Sequence, residues 1–475
     1  MHTLRKIAFI LFTAAYLVIC PLVLLYAFGY SIHPGAPSIV KTGLIYISTM
    51  PPGATVRVER RRYAATTPAM VRGLLPGAYA VEVDLPGYQP WSGAVPVEAE
   101  KSTALDRILL VPTEWKRSWL LPGPLYGIRQ IPGTRFLLIR HGPALRDHVL
   151  YDWKTARVQP LAGRHAVLTD AEVSAAWSVP DSPALLIRLG SGAAARFLWI
   201  DLSGDEPRTE DLTGFIPAGA RRITWDPLDR RHLFILHEGR LLRLHLPSGT
   251  LALVDDGIRG AGTVERTLYR LTRNGALLQA DPDGADARLL AETPEWVERT
   301  GDDGRSVEIW APARGRVLLR NARGDLFSPR PPARLAEGID GLLWDPHRER
   351  ALVWQKRRVG IVTWSDPPAR HPSLRWIFED GRNITQAAWV YEGSHVILHD
   401  GGRVKLLELA GTERPQVRDL FDLPEESRMV YVEGAGRMFY VNADDGALWA
   451  VEVLPRREPL SFMFPEWDET GPRAD

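Results

Sequence analysis

Thiol chemistry is nearly absent from this chain, because Cys20 is the only cysteine among 475 residues. A lone cysteine forms no disulfide within the chain and excludes a Cys-rich metal site. Any excess of charge is missing too: 58 basic residues against 57 acidic ones give a formal charge of +1. That balance lacks the basic footprint a phosphate-backbone binder needs, so no nucleic-acid partner is expected. The signatures of familiar enzyme classes are also missing. The chain contains no Gly-x-Ser-x-Gly elbow, no His-Glu-x-x-His helix and no Gly-x-x-x-x-Gly-Lys phosphate loop. The expectation is a protein that is not an enzyme, with no cofactor, no metal ligands and no catalytic residues, although a triad scattered among loops would escape such a search.

What is present is an ordinary globular composition, 45% apolar and 24% charged, in a chain long enough for more than one folded unit. Residues 7–28 carry no charge, and a helix of that length reaches about 33 Å, enough to cross a hydrocarbon core. Arg5 and Lys6 precede the run and the next basic residue is Lys41. The positive-inside rule then puts the N-terminus in the cytoplasm and the bulk of the chain outside, with Tyr26 and Tyr30 near the outer interface. A cleaved signal peptide has a shorter apolar region and a small-x-small cleavage site. A lipoprotein box wants a small residue where Ile19 stands before Cys20. The expectation is therefore a cytoplasmic N-terminus and a single uncleaved span within residues 1–28, kinked at Pro21, and a tether over 29–42 containing Pro34, Gly35 and Pro37.

Beyond the tether, residues 44–48, 55–59, 79–84 and 94–97 read as short strands. Pro51-Pro52-Gly53, Pro76-Gly77 and Pro86-Gly87 are the turns between them. This is the pattern of a small all-β sandwich over residues 43–112. Gly43 to Ser48, the turn Pro51-Pro52-Gly53-Ala54 before Thr55-Val56, Thr67-Pro68, Leu75 to Tyr79, and Gly87-Tyr88 before Trp91 together resemble the PEGA domain family. Pro52 departs from that family, which has Glu there, so the turn is kept and the acidic side chain lost. The resemblance implies a β-sandwich of the bacterial cell envelope that binds or scaffolds, without catalytic residues to carry over. The chain also looks like membrane-anchored PEGA proteins in which one span, one such domain and a propeller-like region follow one another.

A linker over 113–124, with Trp115, Trp119, Pro122, Gly123 and Pro124, leads to a repeat that fills residues 125–456. Its clearest copy runs over 223–254. Strand Ile223-Thr224-Trp225 stops at Asp226-Pro227. A second strand, 233–237, meets a third, 240–246, across Glu238-Gly239, and a fourth covers 251–254. In the third strand Leu242, Leu244 and Leu246 alternate with Arg243 and His245, as expected when one face is buried and the other polar. Four such strands make one propeller blade. Residues taken to end each first strand are Gln130, Trp177, Trp225, Tyr269, Trp310, Trp344, Trp389 and Tyr431, spaced 47, 48, 44, 41, 34, 45 and 42 apart. That predicts an eight-bladed propeller, the 34-residue step marking a blade short of one strand, or seven blades if that unit is an insertion. Further hairpins are expected around Asp400-Gly401-Gly402, Asp444-Asp445-Gly446 and Arg323-Gly324. The recurring tryptophans read as packing between blades. The tail, 457–475, contains the apolar run 460–464 and is expected to close the ring or to bind a partner.

Few constellations could carry chemistry. Asp281, Asp283 and Asp286 are spaced as in a short calcium loop, but the same residues make hairpin turns and no closing bidentate Glu follows. His395 and His399 lie in a strand pattern that sets them about 13 Å apart, too far for one metal. Arg60-Arg61-Arg62 reads as a solvated loop, with anionic lipid or wall polymer as the alternative contact. Asn383-Ile384-Thr385 is a glycosylation sequon of little weight. The functional expectation is a single-pass cell-membrane protein whose extracytoplasmic domains bind or scaffold a protein or cell-wall glycan. The alternative is an extracytoplasmic hydrolase or lyase with its site at the propeller's central channel. The oligomeric state is not encoded in any pattern found.

Overall fold

The computed structural model describes residues 2–27, 30–31, 40–161, 169–178, 183–204, 206–220, 222–226, 229, 231–292, 307–313, 315–345, 347–365, 371–409 and 415–455. The chain divides into two compact units, residues 1–116 with 410–413 and 452–475, and residues 117–409 with 414–451. The first element is a 26-residue helix, His2–Ala27, with Pro21 inside it. Measured on the described residues, no helix is long and apolar enough to cross a membrane. The span expected over residues 7–28 is thus not established by the fold.

After a two-stranded pair, Tyr30–Ser31 with Val40–Lys41, residues 43–109 form a sandwich of two sheets. One holds Ala69–Leu74, Gly43–Met50 and Ser102–Leu109 in that order, and the other Arg61–Thr66, Thr55–Val58, Gly77–Asp84 and Trp91–Val97. Alternate residues of each strand point inward, so Ile45, Ile47, Val56, Val58, Val81, Val83 and Trp91 form one buried core. The turn motifs acquire physical roles here. The Ala54 N–H donates to the Thr67 hydroxyl at 2.9 Å, Thr67 and Thr49 hydroxyls meet at 2.6 Å, and Thr49 donates to the Pro51 carbonyl at 2.6 Å. This relay satisfies two buried hydroxyls and fixes the Pro51-Pro52-Gly53 turn. The Tyr79 hydroxyl donates to the Leu75 carbonyl at 2.9 Å and so closes the Leu75 to Tyr79 corner.

The second unit contains, among the described residues, eight four-stranded antiparallel sheets. Blades 1 to 7 occupy residues 127–160, 173–211, 222–255, 258–292, 308–336, 341–378 and 384–422. Blade 8 takes three strands from 428–452 and its outer strand, Arg117–Leu121, from the start of the unit. First strands of blades 3 and 4, 4 and 5, 6 and 7, 7 and 8, and 8 and 1 touch one another, and shared cores join blades 1 and 2, 2 and 3, and 5 and 6, so the ring is closed with first strands at its inner edge. Leu137, Ile139 and Tyr151 of blade 1 share a core with Val432, Phe439 and Leu448 of blade 8. The fold is all-β apart from the N-terminal helix and short helical turns.

Second strands are buried on both faces, because each blade stacks on two neighbours: Leu233, Phe234 and Ile235 are all 0% exposed. That corrects the one-sided reading of the third strand in 223–254, where Leu241 and Leu244 are fully buried and Leu242 half-buried. Three further expectations are corrected. The blade at the 34-residue step lacks nothing: Glu308–Ala313, Arg316–Arg320, Leu326–Pro329 and Pro332–Ala336 are four short strands joined by tight turns. Tyr269 lies in the second strand of blade 4, Thr267–Thr272, and Thr263 occupies the place next to the end of the first strand that the tryptophans hold elsewhere. The strand that closes the ring, Arg117–Leu121, comes from the segment read as a linker, with Trp119 opposite Trp449. The tail over 457–475 lies outside the described residues.

Candidate functional site

Most chemistry-bearing side chains in the second unit are committed to holding blades together. The Trp225 indole N–H donates to the Ser178 carbonyl of the preceding blade at 3.2 Å, and Trp389 does the same to Leu343 at 3.2 Å. In blade 4 the Thr263 hydroxyl replaces the indole and donates to the Trp225 carbonyl at 2.7 Å. Trp225 is 4% exposed and meets Trp199 edge-on at 4.9 Å. Trp310, Trp344 and Trp364 form a similar row, with Arg316 over the last two rings. Trp225, Trp310, Trp344 and Trp389, which recur near the ends of first strands, are therefore packing residues and not ligand-stacking faces.

Buried carboxylates are spoken for in the same way. Asp345 and Arg350, whose side chains are 1% and 13% exposed, pair at 3.1 Å. Arg350 also donates to the Gly393 carbonyl and lies 4.5 Å over the Trp389 ring, tying blade 6 to blade 7. Asp400 receives the Lys405 ammonium at 2.6 Å and the Arg382 and Asn383 N–H groups. Burial works against its ionisation, yet those donors win and hold the carboxyl below its usual range.

His395 and His399, both 0% exposed, are not brought together on a ligand. The Ser394 hydroxyl donates to the Tyr391 carbonyl at 2.6 Å, so the 2.8 Å contact to His395 has Nδ1–H donating to Ser394, and Nε2 has no partner among the described residues. That polarity is the reverse of an activated serine nucleophile. Burial pushes the His395 imidazole down to about 3. His399 is also pushed down by burial, against the pull of the Leu423 carbonyl at 3.0 Å, with Thr385 on its other nitrogen. Asn383 donates to Glu425 through its side chain. Arg60, Arg61 and Arg62 are all exposed, at a two-residue turn of Glu59 and Arg60 with positive φ followed by the strand Arg61–Thr66.

Along the innermost strands one carboxylate stands out. Glu308 of blade 5 lies 3.3 Å from Arg222 of blade 3 and 3.8 Å from Arg320. No group of three or more His, Cys, Asp or Glu among the described residues could hold a metal ion.

An open cavity of about 700 Å³ lies between blades 3 and 4. Its lining joins the turn after Trp225 (Asp226, Asp229), Arg243 of the third strand, the first hairpin of blade 4 (Arg266, Thr267) and the segment from Gln279 to Asp286 with Arg288. Asp226, 1% exposed, pairs with Arg243 at 2.8 Å and forms the fixed floor. At Asp229 the Arg231 N–H, donated to the carboxylate, holds the group below the usual range, and His232 Nδ1 adds to it from 3.0 Å. The calcium-like stretch is the tight turn of a hairpin. The Asp281 N–H donates to the Ala285 carbonyl at 3.0 Å, the Gly284 N–H to Asp281 at 2.8 Å, and Asp283 accepts the Ala285 N–H at 2.9 Å. Gly284 sits at φ +87, and the φ of Asp286 is 51, a value Asp and Asn tolerate. Beneath the turn, buried Arg270 pairs with Asp255 at 2.7 Å and reaches the Gly284 carbonyl at 3.5 Å. Among the described residues the cavity thus carries five carboxylates against three guanidinium groups on a pinned frame. Sequence reasoning found Asp281, Asp283 and Asp286 but missed Arg266, Thr267, Gln279 and Arg288, which the pairing of strands within blade 4 brings beside them, and Arg243, which joins them only when blade 3 stacks on blade 4.

Comparison with known proteins gives a match of residues 42–110 to the PEGA domain model. No curated protein matches the sequence. Among solved structures, similarity extends to β-propeller proteins. One is PorZ of Porphyromonas gingivalis, a bacterial surface component of the type-IX secretion system (12% identity, 68% of this chain and 42% of that one, TM-score 0.37). Another is YCF48 bound to D1 peptide (12% identity, 72% and 97%, TM-score 0.37). A third is Hsv2 of Kluyveromyces lactis (8% identity, 64% and 99%, TM-score 0.40).

Proposed function

We propose that this chain is a membrane-anchored, non-enzymatic binding platform of the cell envelope. In this reading the N-terminal helix with its uncharged run spans the membrane, Arg5 and Lys6 keep the N-terminus in the cytoplasm, and the PEGA domain and propeller stand outside to receive a protein or glycan partner. The observation that carries the binding role is the cavity between blades 3 and 4, which is open, polar and built on hairpins held by Asp226–Arg243 and Arg270–Asp255. Rigid frames with exposed polar groups favour recognition, since little freedom is lost on binding. The rival, a hydrolase or lyase at the central channel, needs two convergent acid or base groups. Glu308 is instead held between two arginines, and His395 and His399 are fully buried.

Cross-linked pull-down from intact cells, with the propeller as bait, tests the binding role. Recovery of a defined partner is expected, and recovery of membrane-neighbour background alone would remove the proposal's support. Carbonate extraction tests the anchor. The full chain is expected to stay with the membrane pellet, and release into the supernatant would refute the span.

A further inference from the structure

We infer that the cavity between blades 3 and 4 receives a lysine- or arginine-bearing peptide segment, its cationic side chain seated against Asp281 and Asp286. The inference rests on the reading of the chain as a binding platform and adds the chemistry of what is bound.

The first ground is charge. With Asp226 and Arg243 neutralising each other, Asp229, Asp281, Asp283 and Asp286 face Arg266 and Arg288, a net of −2. Asp281, Asp283 and Asp286 are exposed, and the Asp281 and Asp286 carboxylates accept no hydrogen bond among the described residues. They are spare acceptors on a fixed turn, as a guanidinium or ammonium group requires. The second ground is independent of the acids. Thr267 is 5% exposed, lines the cavity, and its hydroxyl has no hydrogen-bond partner among the described residues. The hydroxyl is open to the cavity, where solvent satisfies it until a ligand group takes its place. A peptide backbone supplies both donors and acceptors for Thr267, Gln279 and Arg288. The third ground is what the lining omits. Among the described residues no aromatic side chain borders the cavity, so they offer no flat stacking platform of the kind on which sugar rings and nucleobases rest. About 700 Å³ accommodates a few residues of an extended peptide.

The test is fluorescence anisotropy on the full chain in detergent, with a labelled octapeptide of alternating Lys and Gly and a Glu and Gly octapeptide as control. The Lys peptide is expected to bind, and to weaken steeply as salt is raised by roughly tenfold. The Asp281→Asn/Asp286→Asn double variant should weaken binding about tenfold or more, since each lost charge removes one side of an ion pair. Neither carboxylate holds the turn, and Asn tolerates the backbone of Asp286, so the melting temperature should not move. Thr267→Val should weaken binding about threefold, as loss of one neutral hydrogen bond. Equal binding of the Glu peptide, or unchanged affinity in the double variant, would overturn the inference. A cellular partner still captured by the double variant would leave the platform reading standing and overturn this site alone.

Discussion

Acidification should loosen the propeller through one imidazole. His395 sits in the fully buried second strand of blade 7, and burial lowers it from 6.5 to about 3. Its Nε2 has no partner among the described residues, and Arg348 and Arg418 add repulsion against a proton there. In the unfolded chain the ring takes up a proton near its ordinary value, whereas the folded protein refuses it until about pH 3. Between those values the unfolded state binds more protons, so stability falls as pH falls. At one pKa unit per 1.36 kcal/mol, moving from pH 7 to pH 5 removes about 2 kcal/mol. His399 is shifted in the same direction and adds to the slope. Urea denaturation followed by tryptophan fluorescence at a series of pH values measures it. His395→Asn keeps a donor toward Ser394 without a titrating ring. The variant loses stability at every pH, and its loss between pH 7 and pH 5 should be smaller than that of the natural chain by about 2 kcal/mol. Identical slopes in the two proteins would refute the assignment, because the ring would then be reached by water or by a carboxylate.

Two further outcomes follow from packing. Trp225→Ala removes an indole that is 4% exposed, edge-on to Trp199 and bonded to Ser178, and should cost about 3 to 5 kcal/mol in denaturant titration. A change under about 1 kcal/mol would mean that the side chain is solvent-facing. Gly260→Val places a Cβ 2.4 Å from the Val307 carbonyl, a backbone atom that cannot swing aside, and should lower stability by about 1 to 3 kcal/mol or more. Gly214→Ala, with nothing within 4 Å of the added carbon, serves as the neutral control. Equal melting of the two variants would contradict the close approach of blades 4 and 5.

The blade count was legible because one bulky residue per repeat must fill the seam between stacked sheets, and tryptophan at that seam recurs at nearly even spacing. Where a different side chain performs the same act, the pattern misleads. Thr263 makes the seam contact of blade 4 with a hydroxyl, while Tyr269, moved to the next strand, packs on the opposite seam and accepts the Gly315 N–H at 3.1 Å. The small sandwich was legible from its turns, whose glycines and prolines dictate backbone shape locally. The cavity was not, because Arg243 and Asp281 are separated by a whole blade junction and no local rule links them. The paired aspartates show the same limit: Asp345 and Arg350 face each other across one hairpin, but the burial of the pair becomes visible only when the Gly393 turn of blade 7 closes over it. Ring closure failed to read for a simpler reason. Either terminus of the repeat array can supply the missing strand, and both contain apolar residues.

That closure sets a schedule. Arg117–Leu121 leaves the ribosome first, while its pairing partner, Leu448–Glu452, is made more than three hundred residues later. At the usual rate of synthesis the strand waits on the order of tens of seconds with its edge unpaired. Seven blades can stack in that interval, but the circle is sealed only by the last strand of the ring. A chain interrupted before residue 448 is left with an orphan strand and an open seam at once, two exposed features by which quality-control proteases and chaperones can tell an unfinished ring from a finished one.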